Sequence, residues 1–578
     1  MSYETIFQQA LKFHQNGQLD EAEKLYRQVL QIAPNNPQIL NLLGIIAQSK
    51  NLHEQAVSYF EQSLLNDSNN FEVYFNLGWS LFELKKYAEA ANAYHRVITL
   101  KPQTFQAYNA LGKIYAIENK KLEAKSAFEH ALTINPQYLE AQINLACLEQ
   151  NLSQLQNLFQ QNPSRGDIAY NIAKIYQQQN QLEPAKEYAL QAAQLSPCED
   201  FFLFCADILS QLQHPDEALK YYQQALNDNP DSVPALINIA NSAQDASQTE
   251  QMYKKALSLS PKNFDAHLNY AVLLHKQNRL NEALEEYRQA AILNPNSAEV
   301  SNNLGLLQRS LNNLPQAIDL LLNAFCLSPQ KQEYAANLAE TLTLYSHSNP
   351  SEAAKIAAAW QKKSPDNPFA IQIDAALNNK NIAQNPAYSQ QLFDIFADTY
   401  ENTMQNIDYQ LPKEIASLID NSNDIIVDLG CGTGLLGEKI RDKCRQLIGV
   451  DISKKMLEKA AAKKIYDHLE QADIIEFCNQ LPPSSLVIAA DVIGYIGDLK
   501  PLIAKIFPHR FIFSAALDDK LSQNFSLTPQ GRYIYNPTYI NDTLKDCGYN
   551  DTSQHKTILR TENGTPVYGA IYIAKEKL

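Results

Sequence analysis

Small residues recur about every 34 positions along the first 384 residues, and this period limits the possible folds more than any other feature. A second series of alanines follows them, and a large side chain comes four residues after each of the first four of these alanines, at Tyr26, Phe60, Tyr94 and Phe128. A fixed period of this length indicates a stack of repeated supersecondary units. The first series is Ala10, Gly44, Gly78, Gly112, Ala146, Ala173, Ala206, Ala240, Ala271, Gly305 and Ala339.

A pair of helices joined by a short turn explains the period. The small residues lie where the first helix (helix A) approaches the second (helix B), and the aromatic side chain fills the gap to the neighbouring pair. Prolines such as Pro34 and Pro102 mark the breaks, because proline cannot continue a helix. The pattern resembles the tetratricopeptide repeat (TPR) family. We expect residues 1–375 to form an all-α TPR superhelix of about eleven repeats.

An asparagine often stands two residues before the small residue of helix A. Its amide can both donate and accept, which suits the polar groups of an extended peptide backbone. The arrangement resembles the asparagine ladder of O-linked N-acetylglucosamine transferases, which implies that the groove binds a protein or peptide. Scaffolding or self-association, and a purely structural role, are the alternatives. The candidates are Asn76, Asn144, Asn171, Asn238, Asn269, Asn303 and Asn337.

Glycine is scarce in the repeat region. Six of the 17 glycines lie before residue 385, and we attribute the deficit to an all-helical array that has few sites of positive φ. Residues 376–389 are polar, include one proline and are predicted to be a linker. Residues 390–578 hold the other glycines and form a second predicted domain.

Apolar strands alternate with helices from Asp424 onward, which predicts a doubly wound α/β sheet. Glycines at 430, 432 and 434 follow the first strand, where they permit a tight turn and bring backbone N–H groups close to a ligand. Asp451 ends the second strand, and a carboxylate there can accept the hydrogens of both ribose hydroxyls. The pattern therefore predicts an adenosine-containing cofactor at the carboxyl ends of the strands.

Two cofactor classes fit such a loop. Residues 432–437 match the GxGxxG fingerprint of dinucleotide sites, but this match is weak alone and begins too late after the strand. Residues 427–434, VDLGCGTG, instead resemble the motif of class I S-adenosyl-L-methionine (SAM) methyltransferases. The resemblance implies a Rossmann-like domain with an antiparallel C-terminal strand and SAM as the cofactor.

The same resemblance implies roles for individual residues. The glycine loop, Gly430, Gly432 and Gly434, would lie under the methionine part of SAM, and Asp428 would orient the loop. Asp451 would bind ribose and Ile452 would face adenine. The remaining implied contacts are Asp473 and Ile474 at the adenine amino group and Asp491 beside the methyl group.

Further segments extend the resemblance. The spacing of Phe393, Phe396 and Tyr400 fits a core-packing helix or a cap over the cofactor, as found before many small-molecule methyltransferase domains, so Tyr400 is a candidate cofactor contact. Residues 489–499 and 559–567 look like segments of a bacterial group described as predicted methyltransferases with TPR repeats. We expect histidine in that group where this chain has Tyr535, which leaves a general base at this position in doubt.

Methyl transfer from a sulfonium is an in-line displacement, and a base is needed only when the acceptor is protonated. The candidate catalytic residues are Asp491, Tyr495 and Tyr533. Arg532, Tyr535 and His509 are further possibilities, although a structural role for His509 is favoured. We expect a methyltransferase whose TPR groove captures a polypeptide. A small-molecule methyltransferase with TPRs used for assembly, or a non-enzymatic scaffold, are the alternatives.

Composition narrows the remaining classes. The net charge of −15 argues against nucleic acid as a partner, because nucleic-acid binding usually needs a basic face. We expect no membrane span, since no apolar run approaches the ~20 residues needed. The eight cysteines form no CxxC pair, and no secretory signal is visible, so a cytoplasmic location without a metal site is predicted.

Overall fold

A computed structural model describes residues 3–243, 245–380, 382, 384–420, 423–562 and 564–576 of the chain. It divides into two compact units, Met1–Leu259 and Ser260–Leu578. The predicted linker 376–389 includes residues 381 and 383, which lie outside the described residues.

The first unit consists of eight helix pairs. In each pair, helix A and helix B are of similar length and are joined by a short turn. The helices are α1 (Tyr3–Gln15), α2 (Leu19–Ile32), α3 (Pro37–Ser49), α4 (His53–Asn66), α5 (Phe71–Glu83), α6 (Tyr87–Leu100), α7 (Phe105–Ile117), α8 (Lys121–Ile134), α9 (Leu139–Leu148), α10 (Leu152–Gln161), α11 (Gly166–Gln178), α12 (Leu182–Leu195), α13 (Glu199–Gln211), α14 (Pro215–Asp228), α15 (Val233–Ser242) and α16 (Ala246–Leu259).

The second unit begins with three more pairs and a single helix of the same kind. These helices are α17 (Phe264–Lys276), α18 (Leu280–Leu293), α19 (Ala298–Ser310), α20 (Leu314–Leu327), α21 (Gln332–Ser346), α22 (Pro350–Lys363) and α23 (Pro368–Leu377). The helical repeats confirm the TPR-like part of the predicted fold.

The small residues of helix A lie directly against the aromatic residues of helix B. A Cβ atom placed on Gly44 would lie 2.4 Å from Cε1 of Phe60, and one on Gly112 would lie 2.4 Å from Cε1 of Phe128. The ring therefore packs against the glycine of its own helix pair, whereas the sequence predicted that it would fill the gap to the neighbouring pair. This contact explains why only glycine or alanine stands at this position.

The turns between helices A and B correct the explanation of the glycine deficit. Each of eight turns contains a residue other than glycine with φ between 53° and 63°. The array therefore has many left-handed sites, and it fills most of them with asparagine, which tolerates this conformation better than most residues. They are Asn51, Lys85, Asn119, Gln150, Asn180, Gln213, Asn278 and Asn312.

The methyltransferase-like part begins with three helices, α24 (Pro386–Phe396), α25 (Tyr400–Asn406) and α26 (Leu411–Ser417). A seven-stranded sheet follows, with the order β3-β2-β1-β4-β5-β9-β8. Strands β1 to β5 are parallel, and β9 runs antiparallel to β5 and β8. The strands are β1 (Asn423–Leu429), β2 (Cys444–Asp451), β3 (His468–Gln471), β4 (Leu486–Ala489), β5 (Arg510–Ala516), β8 (Asp551–Glu562) and β9 (Thr565–Lys575).

Both faces of this sheet are buried, as the apolar runs of the central strands predicted. Val427 and Phe513 belong to the cluster on one face, whereas Ile426 and Ile512 belong to the other.

A separate hairpin is formed by β6 (Phe525–Leu527) and β7 (Tyr533–Tyr535). The remaining helices are α27 (Gly437–Ile440), α28 (Lys454–Ala462), α29 (Ile474–Phe477), α30 (Lys500–Ile506) and α31 (Pro537–Asp546). The doubly wound sheet with an antiparallel C-terminal strand is confirmed.

Among the described residues, no helix combines the length and the apolar character that a bilayer span requires. The same residues contain no group of three or more His, Cys, Asp or Glu side chains arranged to hold a metal ion.

Candidate active site

A cavity of about 710 Å³ lies within the second unit, at the carboxyl ends of β1, β2 and β4. Helices α24 and α25 line another side, and α21 and α23 from the TPR part contribute further walls. Its volume is typical of a site for a small ligand. The cavity brings together nine of the predicted cofactor-binding and catalytic residues, Tyr400, Gly430, Gly432, Asp451, Ile452, Asp473, Ile474, Asp491 and Tyr495, whereas Asp428, Gly434 and Tyr533 are not part of its lining.

The glycine loop is held by the carboxylate that ends β2. Oδ2 of Asp451 accepts from the N–H of Gly432 at 2.8 Å, and Oδ1 accepts from the N–H of Ser453 at 2.8 Å. Burial raises the pKa of Asp451 to about 6, although the hydrogen bonds from these two backbone N–H groups lower it. The carboxylate thus ties the loop to the start of α28, and it borders the cavity.

Asp428 supports the loop from below rather than from within the cavity. The hydroxyl of Tyr466 donates to Oδ2 of Asp428 at 2.7 Å. Burial raises the pKa of this carboxyl to about 7. A Cβ atom on Gly437 would lie 2.4 Å from the hydroxyl oxygen of Tyr466, and one on Gly434 would lie 3.2 Å from its ring. Sequence reasoning missed Tyr466, because only the folded chain brings its ring under these glycines.

Asp473 begins a helix at the edge of the cavity. Its Oδ1 accepts from the N–H groups of Ile475 and Glu476, which caps α29. Its Oδ2 accepts from Nε2 of Gln384 at 2.8 Å. Both oxygens of this carboxylate are therefore engaged.

Asp491 lies between two arginines. Its Oδ1 accepts from Arg560 at 2.5 Å, and its Oδ2 accepts from Arg532 at 3.3 Å. Arg560 also donates through Nε to Glu562 at 2.6 Å. The residue has φ 54°, and its N–H donates to Oγ of Ser514 at 2.8 Å, so the backbone turns sharply as it leaves β4. The sequence offered a signal for Arg560 and Glu562, because both lie in a segment that resembles the bacterial group.

The tyrosine candidates occupy different environments. Tyr495 lines the cavity, with the Arg532 guanidinium 5.0 Å from its ring centre. Tyr533 donates to the carbonyl of Ile382 at 3.2 Å. Tyr535 is fully buried, and its hydroxyl donates to the carbonyls of Ile493 and Ile496. The Tyr535 hydroxyl therefore anchors the segment after β4 and does not reach the cavity.

His509 contacts neighbouring residues of the protein and not the cavity. Its Nδ1 lies 3.1 Å from Oγ of Ser485, and its carbonyl accepts from the hydroxyl of Tyr549. It is not among the residues that line the cavity. These contacts agree with the structural role that the sequence favoured.

Helices α24 and α25, with the residues between them, contact α28 and the residues at its two ends. Asp394 accepts from Oγ of Ser453 at 2.6 Å. Asp398 pairs with Lys459 at 2.6 Å, and Glu401 pairs with Lys463 at 2.7 Å. Three acidic residues of this segment thus hold it to one flank of the methyltransferase-like part.

One face of α21 forms a wall of the same cavity. The residues on it are Glu333, Ala336, Asn337, Glu340 and Thr343, which follow helical spacing. The turn of the β6–β7 hairpin docks on these TPR helices. Oγ1 of Thr343 donates to the carbonyl of Pro529 at 3.0 Å, and Nε2 of Gln372 donates to the carbonyl of Gly531 at 2.9 Å. The last TPR helices therefore contribute directly to the site.

The seven candidate asparagines are all half-buried on helix A of their pairs. Nδ2 of Asn144 donates to Oδ1 of Asn109 at 2.9 Å, and Nδ2 of Asn337 donates to Oδ1 of Asn302 at 2.9 Å. These two amides thus connect neighbouring A helices, which is a structural role. Of the seven, Asn337 lines the cavity.

The cavity has the features needed for an adenosine-containing ligand. A Cβ atom on Gly432 would meet nothing within 4 Å, so the loop backbone borders open space there. Asp451 offers a carboxylate beside it, and Ile452, Met456 and Ile474 offer apolar surface. The residues present therefore fit a SAM-like molecule.

Comparisons with known proteins agree with both parts of this fold. A family model described as a methyltransferase domain matches residues 427–509. Models described as tetratricopeptide repeats match residues 10–51, 37–70, 71–104, 105–138, 166–197, 202–232 and 240–308.

Individual relatives match over limited lengths. A trans-aconitate 2-methyltransferase of Pseudomonas aeruginosa strain UCBPP-PA14 is 35% identical over 100 residues, which are 16% of this chain and 36% of the relative. The chain thus spans about a third of the length of such relatives. An uncharacterized methyltransferase of Geobacillus kaustophilus is 21% identical over 26% of this chain and 67% of its own. A solved tetratricopeptide repeat protein from Parabacteroides merdae is 16% identical, with TM-score 0.37, over 44% of this chain and 98% of its own. Fold, site and family models together identify the chain as a fusion of tetratricopeptide repeats with a methyltransferase domain.

Proposed function

We propose that this protein is a SAM-dependent methyltransferase whose TPR helices hold a polypeptide acceptor. One observation carries the proposal: the glycine loop and Asp451 share a cavity with one face of α21, a helix A of the repeat array. A cofactor site and a repeat helix that border the same space favour delivery of an acceptor by the repeats.

The cofactor half of the proposal rests on the strand ends. When bound, SAM supplies an activated methyl group on a sulfonium. Asp451 would accept from the ribose hydroxyls, and Ile452 and Ile474 would pack against the adenine ring. Asp473 is already bonded to Gln384 and to the start of α29, so we propose that it orients the adenine pocket rather than acting alone.

The polypeptide half rests on α21 and its predecessors. Asn269, Asn303 and Asn337 occupy equivalent positions of three successive A helices, α17, α19 and α21. Although Asn337 gives one N–H to Asn302, its carbonyl oxygen can accept from a peptide N–H. A peptide held at these positions would lead into the cavity that Asn337 lines.

A small-molecule acceptor is the second candidate. The cap formed by α24 and α25 is bound to α28 by three acidic residues, which suits a closed site. The trans-aconitate 2-methyltransferases are named for a small acceptor, and they resemble this chain over 83 to 100 residues. In this case the TPR array would serve assembly.

Two measurements test the proposal. Isothermal titration should show SAM binding to the full chain, and no binding would contradict the cofactor assignment. Labelling of a cell lysate with methyl-tritiated SAM should then place label in the protein fraction. Label confined to small molecules would favour the second candidate.

A paired substitution tests the role of the repeats. Asn269→Ala with Asn303→Ala should lower protein labelling at least tenfold and leave the Kd of SAM unchanged. Asn281→Ala with Asn296→Ala removes two exposed asparagines of the same unit and serves as the matched control. Equal protein labelling by both double variants would contradict recruitment through helix A.

A further inference from the structure

The carboxylates at the strand ends of the cavity already accept hydrogen bonds from the protein. Asp451 holds two backbone N–H groups, and Asp473 holds two more and the amide of Gln384. Asp491 gives one oxygen to each of two arginines. Each of these carboxylates is thus committed to its protein donors, because turning to take a proton from an acceptor would leave buried or charged donors without a partner.

The other ionisable groups of the lining are also poor candidates for a general base. Burial raises the pKa of Tyr388, Tyr400 and Tyr495, so these side chains are neutral phenols at physiological pH. Glu562 pairs with Arg560, and Glu340 pairs with Arg309. The described lining contains no His, Cys or Lys, which leaves the exposed Glu333 as the remaining carboxylate. The described lining therefore offers few groups that could take a proton from an acceptor bound in the cavity.

The two arginines differ in how firmly they are held. Arg560 is buried and makes short contacts to Asp491 at 2.5 Å and to Glu562 at 2.6 Å. Arg532 is more exposed, and its contacts to the same two carboxylates are longer, at 3.3 and 3.9 Å. Both line the cavity, but Arg532 retains guanidinium N–H groups that can turn to a ligand. Arg560 thus acts as a clamp on Asp491, and Arg532 is the available cation.

We propose that the methyl acceptor is a carboxylate and that Arg532 binds it. This inference rests on the proposed function and names its substrate class. A carboxylate is already an anionic nucleophile at neutral pH, so it needs no general base. Arginine matches its planar geometry with two parallel hydrogen bonds.

The step balances without an added reagent. One carboxylate oxygen of the acceptor forms a bond to the methyl carbon of SAM, and the carbon–sulfur bond breaks with its electron pair returning to sulfur. The products are a neutral methyl ester and a neutral thioether, and no proton is released. Arg532 would hold the second oxygen and orient the first for in-line attack.

The carboxylate could belong to a polypeptide or to a small organic acid, and the experiment separates the two. Full-length protein is incubated with methyl-tritiated SAM and cell lysate, which is then divided into protein and small-molecule fractions. Each fraction is treated with mild alkali, because methyl esters hydrolyse to volatile methanol whereas N-methyl and ether groups persist. We expect at least nine-tenths of the transferred label to become volatile, and label that stays involatile would overturn the inference.

Substitutions add a second readout. Arg532→Gln should raise the KM of the labelled acceptor at least tenfold, while titration shows an unchanged Kd for SAM; Arg445→Gln, at a highly exposed arginine, is the matched control. An unchanged KM in Arg532→Gln would overturn the role of Arg532. Absence of SAM binding would instead contradict the proposed function, so the two failures are distinguishable.

Discussion

The hydroxyl of Tyr466 donates a hydrogen bond to Oδ2 of Asp428 across 2.7 Å, directly beneath the glycine loop. The carboxyl group is 1% exposed, and burial raises its pKa from an ordinary 3.8 to about 7. The contact from Tyr466 lowers the pKa and so offsets part of this effect. Ionisation of Asp428 beneath the glycine loop is therefore unfavourable, because its carboxylate is buried.

Replacement of Asp428 by Asn should stabilise the protein above pH 7. The folded state holds the Asp428 proton more tightly than the unfolded state does, so this group makes the wild type lose stability as pH rises from about 4 to about 7. Asn removes that loss, and the melting midpoint at pH 8 should rise by roughly 2–4 °C for each kcal/mol gained. The advantage should shrink towards pH 4. Thermal melts that differ by the same amount at pH 5 and pH 8 would contradict the linkage.

The residues at the strand ends could be predicted from the sequence, but the side chains that hold them in place could not. Gly430, Gly432 and Asp451 are local features of a strand–loop–helix pattern, so a linear motif reveals them. Tyr466 contacts Asp428 across 38 positions, and no spacing rule connects the two. The contact between Asp491 and Arg560 could not be predicted from spacing either, because Arg560 lies on β8, the edge strand of the sheet.

Substitution of Gly449 by Ala should destabilise the domain. A Cβ atom there would lie 2.7 Å from Cδ2 of Leu469 and 2.8 Å from Cε1 of Tyr466. Overpacking of this kind costs about 1–3 kcal/mol. Gly494→Ala is the control, because its nearest neighbour would be 3.8 Å away. Urea unfolding followed by circular dichroism should separate the variants, and equal midpoints would show that the Tyr466 ring can move aside.

The affinity for SAM should fall in acid. Burial raises the pKa of Asp451 to about 6, and the ionised form holds the glycine loop through the N–H of Gly432. Below pH 6 the carboxyl becomes protonated, so the Kd should rise by up to about tenfold for each further pH unit and stay constant above pH 7. Isothermal titration between pH 5 and 8 measures this. Asp451→Asn should bind weakly with little pH dependence, and a flat wild-type profile would argue against the role of Asp451.

The repeat array shows what a period can and cannot reveal. The 34-residue spacing predicted the helix pairs, because a small residue such as Gly44 or Gly112 must face a large side chain of the second helix in each repeat. The turns were harder to interpret, since Asn51 and Asn119 adopt the left-handed conformation without glycine. The position of α21 at the cavity could not be predicted, because it depends on contacts such as Thr343 with Pro529, 186 positions apart.

Gln372 connects the last TPR helix to the hairpin that carries Arg532. Its side chain is 3% exposed, and its Nε2 donates to the carbonyl of Gly531, the residue before Arg532. Gln372→Leu keeps a similar volume but leaves that carbonyl without its donor. The hairpin should shift, and a displacement of about 1 Å in a positioning group can cost ~100-fold in rate.

We therefore expect Gln372→Leu to lower methyl transfer by about 10- to 100-fold while the Kd of SAM stays within about twofold, because Gly430 and Asp451 are not touched. Tritiated-SAM kinetics and isothermal titration measure the two quantities. Gln103→Leu, at an exposed glutamine of the first unit, is the matched control and should change neither. Wild-type transfer by Gln372→Leu would mean that the repeats only deliver the acceptor; a selective loss would mean that they also shape the site that receives it.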